Sequence, residues 1–198
     1  MNSILESANV VSFDDEPLIL VDPKDRIIGH LEKIRVHEGQ GHLHRAFSIF
    51  LFNENSEVLL QRRGREKRLW PNFWSNTCCS HPRKGESYKK ATSRRLEDEL
   101  GVRAKLSFIY QFLYRAEYKD IGIEHELCSV YVGLCESQIK PNPTEVSDHM
   151  WLSYKQLDRQ VEAVPNKFTP WLRMEWQQLR GNKHIEVLSV LGPHNPAN

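Results

Sequence analysis

Two carboxylates flank one imidazole at Glu124-His125-Glu126. In an extended strand alternate side chains share a face, so Glu124 and Glu126 project together and His125 points away. The chain also supplies His37, His44 and His81, the last of them two places after Cys79. Three imidazoles and two carboxylates form an octahedral-leaning N₃O₂ donor set with one position left open. A thiol two residues from a metal ligand is then a candidate acid or base. The combination points to metal-assisted proton chemistry. A zinc finger does not fit, because Cys78, Cys79, Cys128 and Cys135 make no CxxC pair.

These residues need strands and a helix to hold them. Residues 18–21 read as a strand, Asp22-Pro23-Lys24-Asp25 as a turn, and 26–29 as the returning strand. His37 and His44 bracket a polar connection that carries Gly39 and Gly41. The nearly unbroken apolar run 46–52 predicts a central strand buried on both faces, with 58–60 pairing back. Ser87 is placed to cap a helix over 87–100 and Gly101 to end it, with Tyr88, Ala91, Thr92, Leu96 and Leu100 on its inner face. Further strands are expected at 108–114, 127–134 and 150–152. Thr169 then caps a last helix with Pro170 in its first position, running to about Arg180. Strands mixed with two or three helices imply an α/β (α+β) sandwich of layers around a mixed β-sheet. The 198 residues suit one domain, with 1–16 and 184–198 as peripheral tails.

Composition excludes several classes. A formal net charge of +1 implies no general polyanion binding, and the basic run Arg62, Arg63, Arg65, Lys67, Arg68 reads as a solvated loop, so no nucleic-acid partner is expected. No stretch is apolar enough to span a bilayer, and residues 1–16 lack the features of a signal peptide. The cysteines read as reduced thiols. The expectation is a cytoplasmic protein with no membrane partner, written as a monomer.

Reading back from Gly101-Val102, the positions Glu99, Asp98, Leu96, Arg94 and Glu86 resemble the Nudix box, a loop-helix-loop that holds magnesium on a diphosphate. Two positions depart from it. Ser80 stands where the leading glycine would be, and Arg95 where the box carries the glutamate of its arginine-glutamate pair. Exchanging that carboxylate for a guanidinium removes a metal ligand or base and adds a phosphate-binding fork. The expectation is a site that grips a diphosphate without cutting it. Taken with Asn76-Thr77-Cys78-Cys79-Ser80-His81-Pro82, the His37/His44 pair, Glu124/Glu126 and Trp70-Pro71, the sequence resembles the type 1 isopentenyl-diphosphate delta-isomerases of the Nudix superfamily. The resemblance runs from about Leu18 to the Pro170-Trp171 region.

That resemblance implies an enzyme of isoprene biosynthesis that interconverts isopentenyl and dimethylallyl diphosphate through a tertiary carbocation. It implies Cys79 and Glu126 as the acid/base pair on opposite faces of the substrate. Tyr114 would pass or orient the proton near Glu126, and Trp171 would stabilise the cation. His37, His44, His81, Glu124 and Glu126 are the implied ligands of one divalent metal, Mn²⁺ or Mg²⁺, with Zn²⁺ the alternative that histidines favour. Glu99 is the implied ligand of a second ion, Mg²⁺, bound with the diphosphate, and Lys33, Arg63, Lys67 and Arg95 the implied substrate-binding cations. Two rival readings are a Nudix pyrophosphohydrolase, which would release phosphate, and a metal-stabilised binding module without catalysis.

Overall fold

The computed structural model describes residues 9–192; the outer parts of the two tails, 1–8 and 193–198, lie outside the described residues. In chain order the strands are β1 (Pro17–Val21), β2 (Ile27–Glu32), β3 (His44–Phe52), β4 (Val58–Arg63), β5 (Trp74–Ser75), β6 (Cys78–Ser80), β7 (Leu106–Tyr118), β8 (Gly122–Leu134) and β9 (Val146–Leu152). The helices are α1 (Lys33–Val36), α2 (Tyr88–Leu100), α3 (Tyr154–Ala163), α4 (Pro170–Arg180) and α5 (His184–Leu191).

Strand β3 organises the sheet. It pairs antiparallel with β1, β4 and β6, and parallel with β8 along nine residue pairs, from His44–Glu126 to Phe52–Leu134. Its alternation divides the core. Phe47, Ile49 and Leu51 pack with Ala91, Leu96 and Leu100 of α2. Phe50 and Phe52 pack on the other side with Leu157 of α3, Leu172 and Trp176 of α4 and Val187 of α5. The result is the expected α/β/α sandwich around a mixed sheet.

Helix α2 begins and ends as its sequence predicts. The Ser87 side chain accepts from Lys90 N, and Gly101 closes the helix at φ 65° with its N–H on Glu97 O. Its buried face is less apolar than expected, because Arg95 and Glu99 lie on it with Ala91, Leu96 and Leu100. At α4 the backbone of Thr169 is the cap, but its hydroxyl makes no capping bond. It lies instead 3.1 Å from Ser75 Oγ, and Pro170, with no N–H to satisfy, lowers the demand for a cap. The strands predicted at 108–114 and 127–134 are the inner parts of one long hairpin, β7–β8. Helix α3 was not foreseen, although Ser153 and Gln156 form a capping box there. Residues 184–198, read as a peripheral tail, begin with α5, whose Val187 is fully buried.

Among the described residues one buried acid has no ion-pair partner. Glu175 of α4 is 0% exposed, with Ser48 and Cys128 as polar neighbours. Burial pushes its carboxyl up to about 8 from an ordinary 4.5. Folding therefore takes up a proton between those two values, and stability falls as pH rises through that window. Glu175→Gln keeps the shape and removes the titration. It is expected to melt about 2–5 °C above the parent protein at pH 8, with the difference shrinking toward pH 5. A difference that widens on acidification would mean that Glu175 is folded as the carboxylate.

Candidate active site and metal cage

Sheet register delivers the donors. His44 opens β3 directly opposite Glu126 of β8. Ser48, four residues along β3, lies opposite Cys79 of β6. Glu126 faces Tyr114 across the β7–β8 hairpin. His37 follows α1, and its carbonyl accepts from Ile123 N at 2.9 Å, which ties it to the strand carrying Glu124. Gly41, at φ 71°, lets the His37–His44 connection pass close to that strand, since a Cβ there would sit 2.9 Å from Ile123 Cγ2. The donor atoms of His37, His44, His81, Glu124 and Glu126 all lie within 4.8 Å of one another.

The donor set fits a divalent cation. His37 Nδ1 contacts Lys33 O at 2.6 Å and His44 Nδ1 contacts His42 O at 2.8 Å. A ring that donates from Nδ1 presents its Nε2 lone pair inward. His37 Nε2 lies 2.9 Å from Glu124 Oε2, and His81 Nε2 2.9 Å and His44 Nε2 3.8 Å from Glu126 Oε1. His44 Nε2 and Glu124 Oε2 are nevertheless buried without a hydrogen-bond partner. Acceptors converging at such spacing need a cation between them or a proton on one of them. His125 turns out of the cage, its Nδ1 3.2 Å from Gly41 O.

Burial sets the electrostatics. It takes His44 down to about 3, with His37 adding to the fall, and takes His81 well below its ordinary value. At His37 burial is outweighed by the Glu124 carboxylate, and the shift is upward. At Glu124 burial is outweighed by the three imidazoles, which hold it low. Burial and then Glu124 push Glu126 well above the carboxylate range. A divalent ion among these groups would be the largest local charge and would draw Glu126 down.

Beside the cage opens a cavity of about 510 Å³. Part of its lining is apolar. Leu69, Tyr114 and Trp171 line it with Cys79, and Trp70 packs in the same cluster. The Trp171 indole is held edge-on to Trp70 with centroids 5.1 Å apart, and its Nε1 donates to Ser75 Oγ at 3.0 Å and Asn76 Oδ1 at 3.1 Å. Trp70 adopts φ 48°, a left-handed conformation that costs a bulky residue about 1–2 kcal/mol. Tyr114 Oη donates to Glu126 Oε2 at 2.6 Å. The half-buried Cys79 thiol is pushed up to about 12 by burial, against the pull of Arg63. Arg63 donates from Nη1 to Cys79 Sγ at 3.6 Å, stacks 5.2 Å from the Trp171 ring centre, and is anchored on Leu69 O at 2.8 Å.

The rest of the lining is ionic: Lys33, Lys67, Arg95 and Glu145 share the same cavity wall. Burial, then the neighbouring Lys67, brings Lys33 down to about 8, and its Nζ meets Ser12 Oγ. The Arg95 fork does not stand open. It donates to Glu99 Oε1 at 3.0 and 2.6 Å, to Glu145 Oε2 at 2.8 Å and to Val11 O at 3.0 Å. Glu99 also accepts from Gln61 Nε2 at 3.1 Å, and it holds Arg95 from behind the cavity wall. Elsewhere in the box Arg94 grips Glu86 with two bonds of 2.8 Å, which locks the loop to α2.

Of the residues given catalytic, metal-ligating or substrate-binding roles from sequence, all line this cavity except His44 and Glu99, which are buried against lining residues. Sequence reasoning missed Glu145, Gln61 and Ser75. Glu145 follows Asn142-Pro143-Thr144 in a loop with no period, so only its contacts reveal it.

Comparison with known proteins gives the following. A family model described as NUDIX domain matches residues 42–172. The chain is 41% identical over 175 residues to "Isopentenyl-diphosphate Delta-isomerase 1" of Photorhabdus laumondii, covering 87% of this chain and 99% of that protein. It is 42% identical to "Isopentenyl-diphosphate Delta-isomerase" of Serratia proteamaculans, covering 85% and 94% respectively. Among solved structures, a Deinococcus radiodurans protein matches with TM-score 0.61 and 22% identity over 75% of this chain and 90% of its own. A MutT protein from Methanosarcina mazei matches at TM-score 0.57 and 18% identity, over 71% and 96%. These two likenesses concern the fold alone.

The cage closes the 35–44 segment onto β8, so a metal held there would be coupled to the order of that segment. Chelation of metal-loaded protein is expected to speed amide exchange across residues 35–44 and to lower the melting temperature by about 5 °C or more. Unchanged exchange in that segment would refute the coupling.

Proposed function

The chain belongs to the isopentenyl-diphosphate Delta-isomerase family of NUDIX-domain proteins, and on that premise we propose how its cavity interconverts isopentenyl and dimethylallyl diphosphate. The single observation that carries the reading is that one cavity is walled by a thiol, a carboxyl, aromatic rings and a set of cations. An isolated alkene is a poor base and its allylic proton a poor acid. Moving the double bond requires a proton added at one carbon, a tertiary cation, and a proton removed from the neighbouring carbon. Two acid/base groups must flank the substrate, and water that would trap the cation must be kept out.

Cys79 is the group on one face. Its raised pKa keeps the proton on sulfur until a substrate carbon takes it, and Arg63, 3.6 Å away, steadies the thiolate that remains. Glu126 is the group on the other face, with Tyr114 bonded to its second oxygen at 2.6 Å to orient the carboxyl and hold a proton there. In the reverse direction the two exchange roles. Trp171, pinned through its indole N–H, presents a fixed π surface to the cationic carbon. Leu69 and the rest of the apolar lining, backed by Trp70, exclude water.

His37, His44, His81, Glu124 and Glu126 would hold one divalent metal, which we assign as Mn²⁺ or Mg²⁺, with Zn²⁺ the alternative. When bound it supplies a fixed positive charge that keeps Glu126 ionisable in a dry site. Lys33, Arg63, Lys67 and Arg95 would bind the anionic head, and Glu99 would contribute to an Mg²⁺ bound with it. Arg95 in place of a box carboxylate argues against the pyrophosphohydrolase reading.

Incubation with isopentenyl diphosphate and Mg²⁺ in deuterated water is expected to yield dimethylallyl diphosphate carrying deuterium, without phosphate release. Rapid hydrolysis of a nucleoside diphosphate derivative would instead establish the hydrolase. Cys79→Ala should keep the fold and metal content while losing about 10²–10⁴-fold in turnover. Turnover comparable to the parent protein would refute the role given to the thiol.

A further inference from the structure

We propose that Glu145 is a positioning residue for recognition of the diphosphate head, holding Lys67 and Arg95 side by side on the cavity wall. The inference rests on the reading above for the identity of the ligand, but its geometry stands apart from the acid/base pair. Glu145 is 3% exposed. One of its oxygens, Oε2, accepts from Arg95 Nη2 at 2.8 Å and from Lys67 Nζ. Glu145 is the sole ion-pair partner of Lys67 among the described residues.

The backbone around Glu145 is built to place it. Lys140 N bonds to Leu100 O and Asn142 N to Glu99 O, each at 2.8 Å, so the loop docks on the end of α2. On its other side Gly64 N bonds to Glu145 O at 2.7 Å. A Cβ on Gly64 would stand 2.6 Å from Thr144 O and 3.0 Å from Glu145 O, so only glycine permits this approach. Gly64 directly follows Arg63 and lies three residues before Lys67. The same clamp thus ties the carboxylate to the segment that carries two of the cations.

The physical need is plain. Lys33, Lys67 and Arg95 repel one another, and a lysine loses about 2 kcal/mol of rotamer entropy when fixed. A carboxylate between Lys67 and Arg95 offsets the repulsion and fixes the lysine before the ligand arrives, so binding does not bear that ordering. Such a residue acts on capture of the head and leaves proton transfer at the tail alone.

The test compares Glu145→Gln and Glu145→Asp with the parent protein for KM, kcat, melting temperature and affinity for inorganic pyrophosphate. Glu145→Gln is expected to raise KM and the pyrophosphate Kd about tenfold, with kcat within about twofold. Glu145→Asp is expected to recover part of the loss. Gly64→Ala, which displaces the loop and changes no charge, is expected to shift KM in the same direction. A fall in kcat at constant KM would make Glu145 a participant in the chemistry and overturn the proposal. Tighter pyrophosphate binding would do so too, by making Glu145 a competitor for the cations, and so would no change at all. Pyrophosphate affinity that depends on Glu145 in a protein without isomerase turnover would sink the isomerase reading and leave the positioning role standing.

Discussion

The register of β3 against β8 is the constraint on which the site depends. His44 lies opposite Glu126, and Ser48, four residues on, lies opposite Cys79 of β6. Side chains alternate across a sheet, so a slip of one residue would turn every inward group outward. What prevents the slip is apolar. Phe47, Ile49 and Leu51 must meet α2, and Phe50 and Phe52 must meet α3 and α4. Each buried side chain of that size stabilises its placement by about 1.5–3 kcal/mol. The polar donors at the start of the strand are therefore aligned by hydrophobic packing further along it, and they need contribute nothing to their own alignment.

That arrangement answers a difficulty. Five ionisable side chains converge in a desolvated space, where unpaired charge is costly. Burial drives His44 and His81 toward their neutral forms and Glu126 toward its acid form, while Glu124 shifts His37 the other way. The same burial suits His44 and His81 to a ligand sphere, because neutral imidazole is what a divalent ion takes up, and Glu126 would give up its proton to join it. Cys79 shares this dryness. Its high proton affinity follows from its burial, and the Arg63 guanidinium beside it favours the thiolate.

The parts of this design legible in sequence are those carried by short-range pattern. The apolar run of β3, the Ser87 and Gly101 ends of α2 and the alternation at Glu124 and Glu126 each follow from local periodicity or capping chemistry. So do the residue types of the cage once they are considered together. What was not legible depends on long-range contact. Helix α5 follows a weak apolar pattern and becomes core only because α4 and the sheet offer Val187 a place. The Thr169 hydroxyl looked like a cap and serves instead as a tie to Ser75. Arg95 read as an open fork, and the structure closes it on Glu99 and Glu145. No spacing rule links position 95 to position 145, because the loop that joins them in space is docked by backbone bonds.

The Arg95 pairing also bears on why a fold shared with hydrolases would serve a different reaction. Cleaving a diphosphate calls for a carboxylate free to activate water. Here the inward carboxylate of α2, Glu99, is engaged at 2.6 Å by a guanidinium one helical turn away, and Glu145 is engaged by the same group. Lys33, Arg63, Lys67 and Arg95 line the same cavity, and Glu145 pairs with two of them. Neither Glu99 nor Glu145 is left unpaired to act as a base on water. The groups with perturbed proton affinity, Cys79 and Glu126, lie instead where the wall turns aromatic. On the proposed reading, one reversal of charge within the box, from carboxylate to guanidinium, leaves the acid/base chemistry to the ligand's hydrocarbon tail.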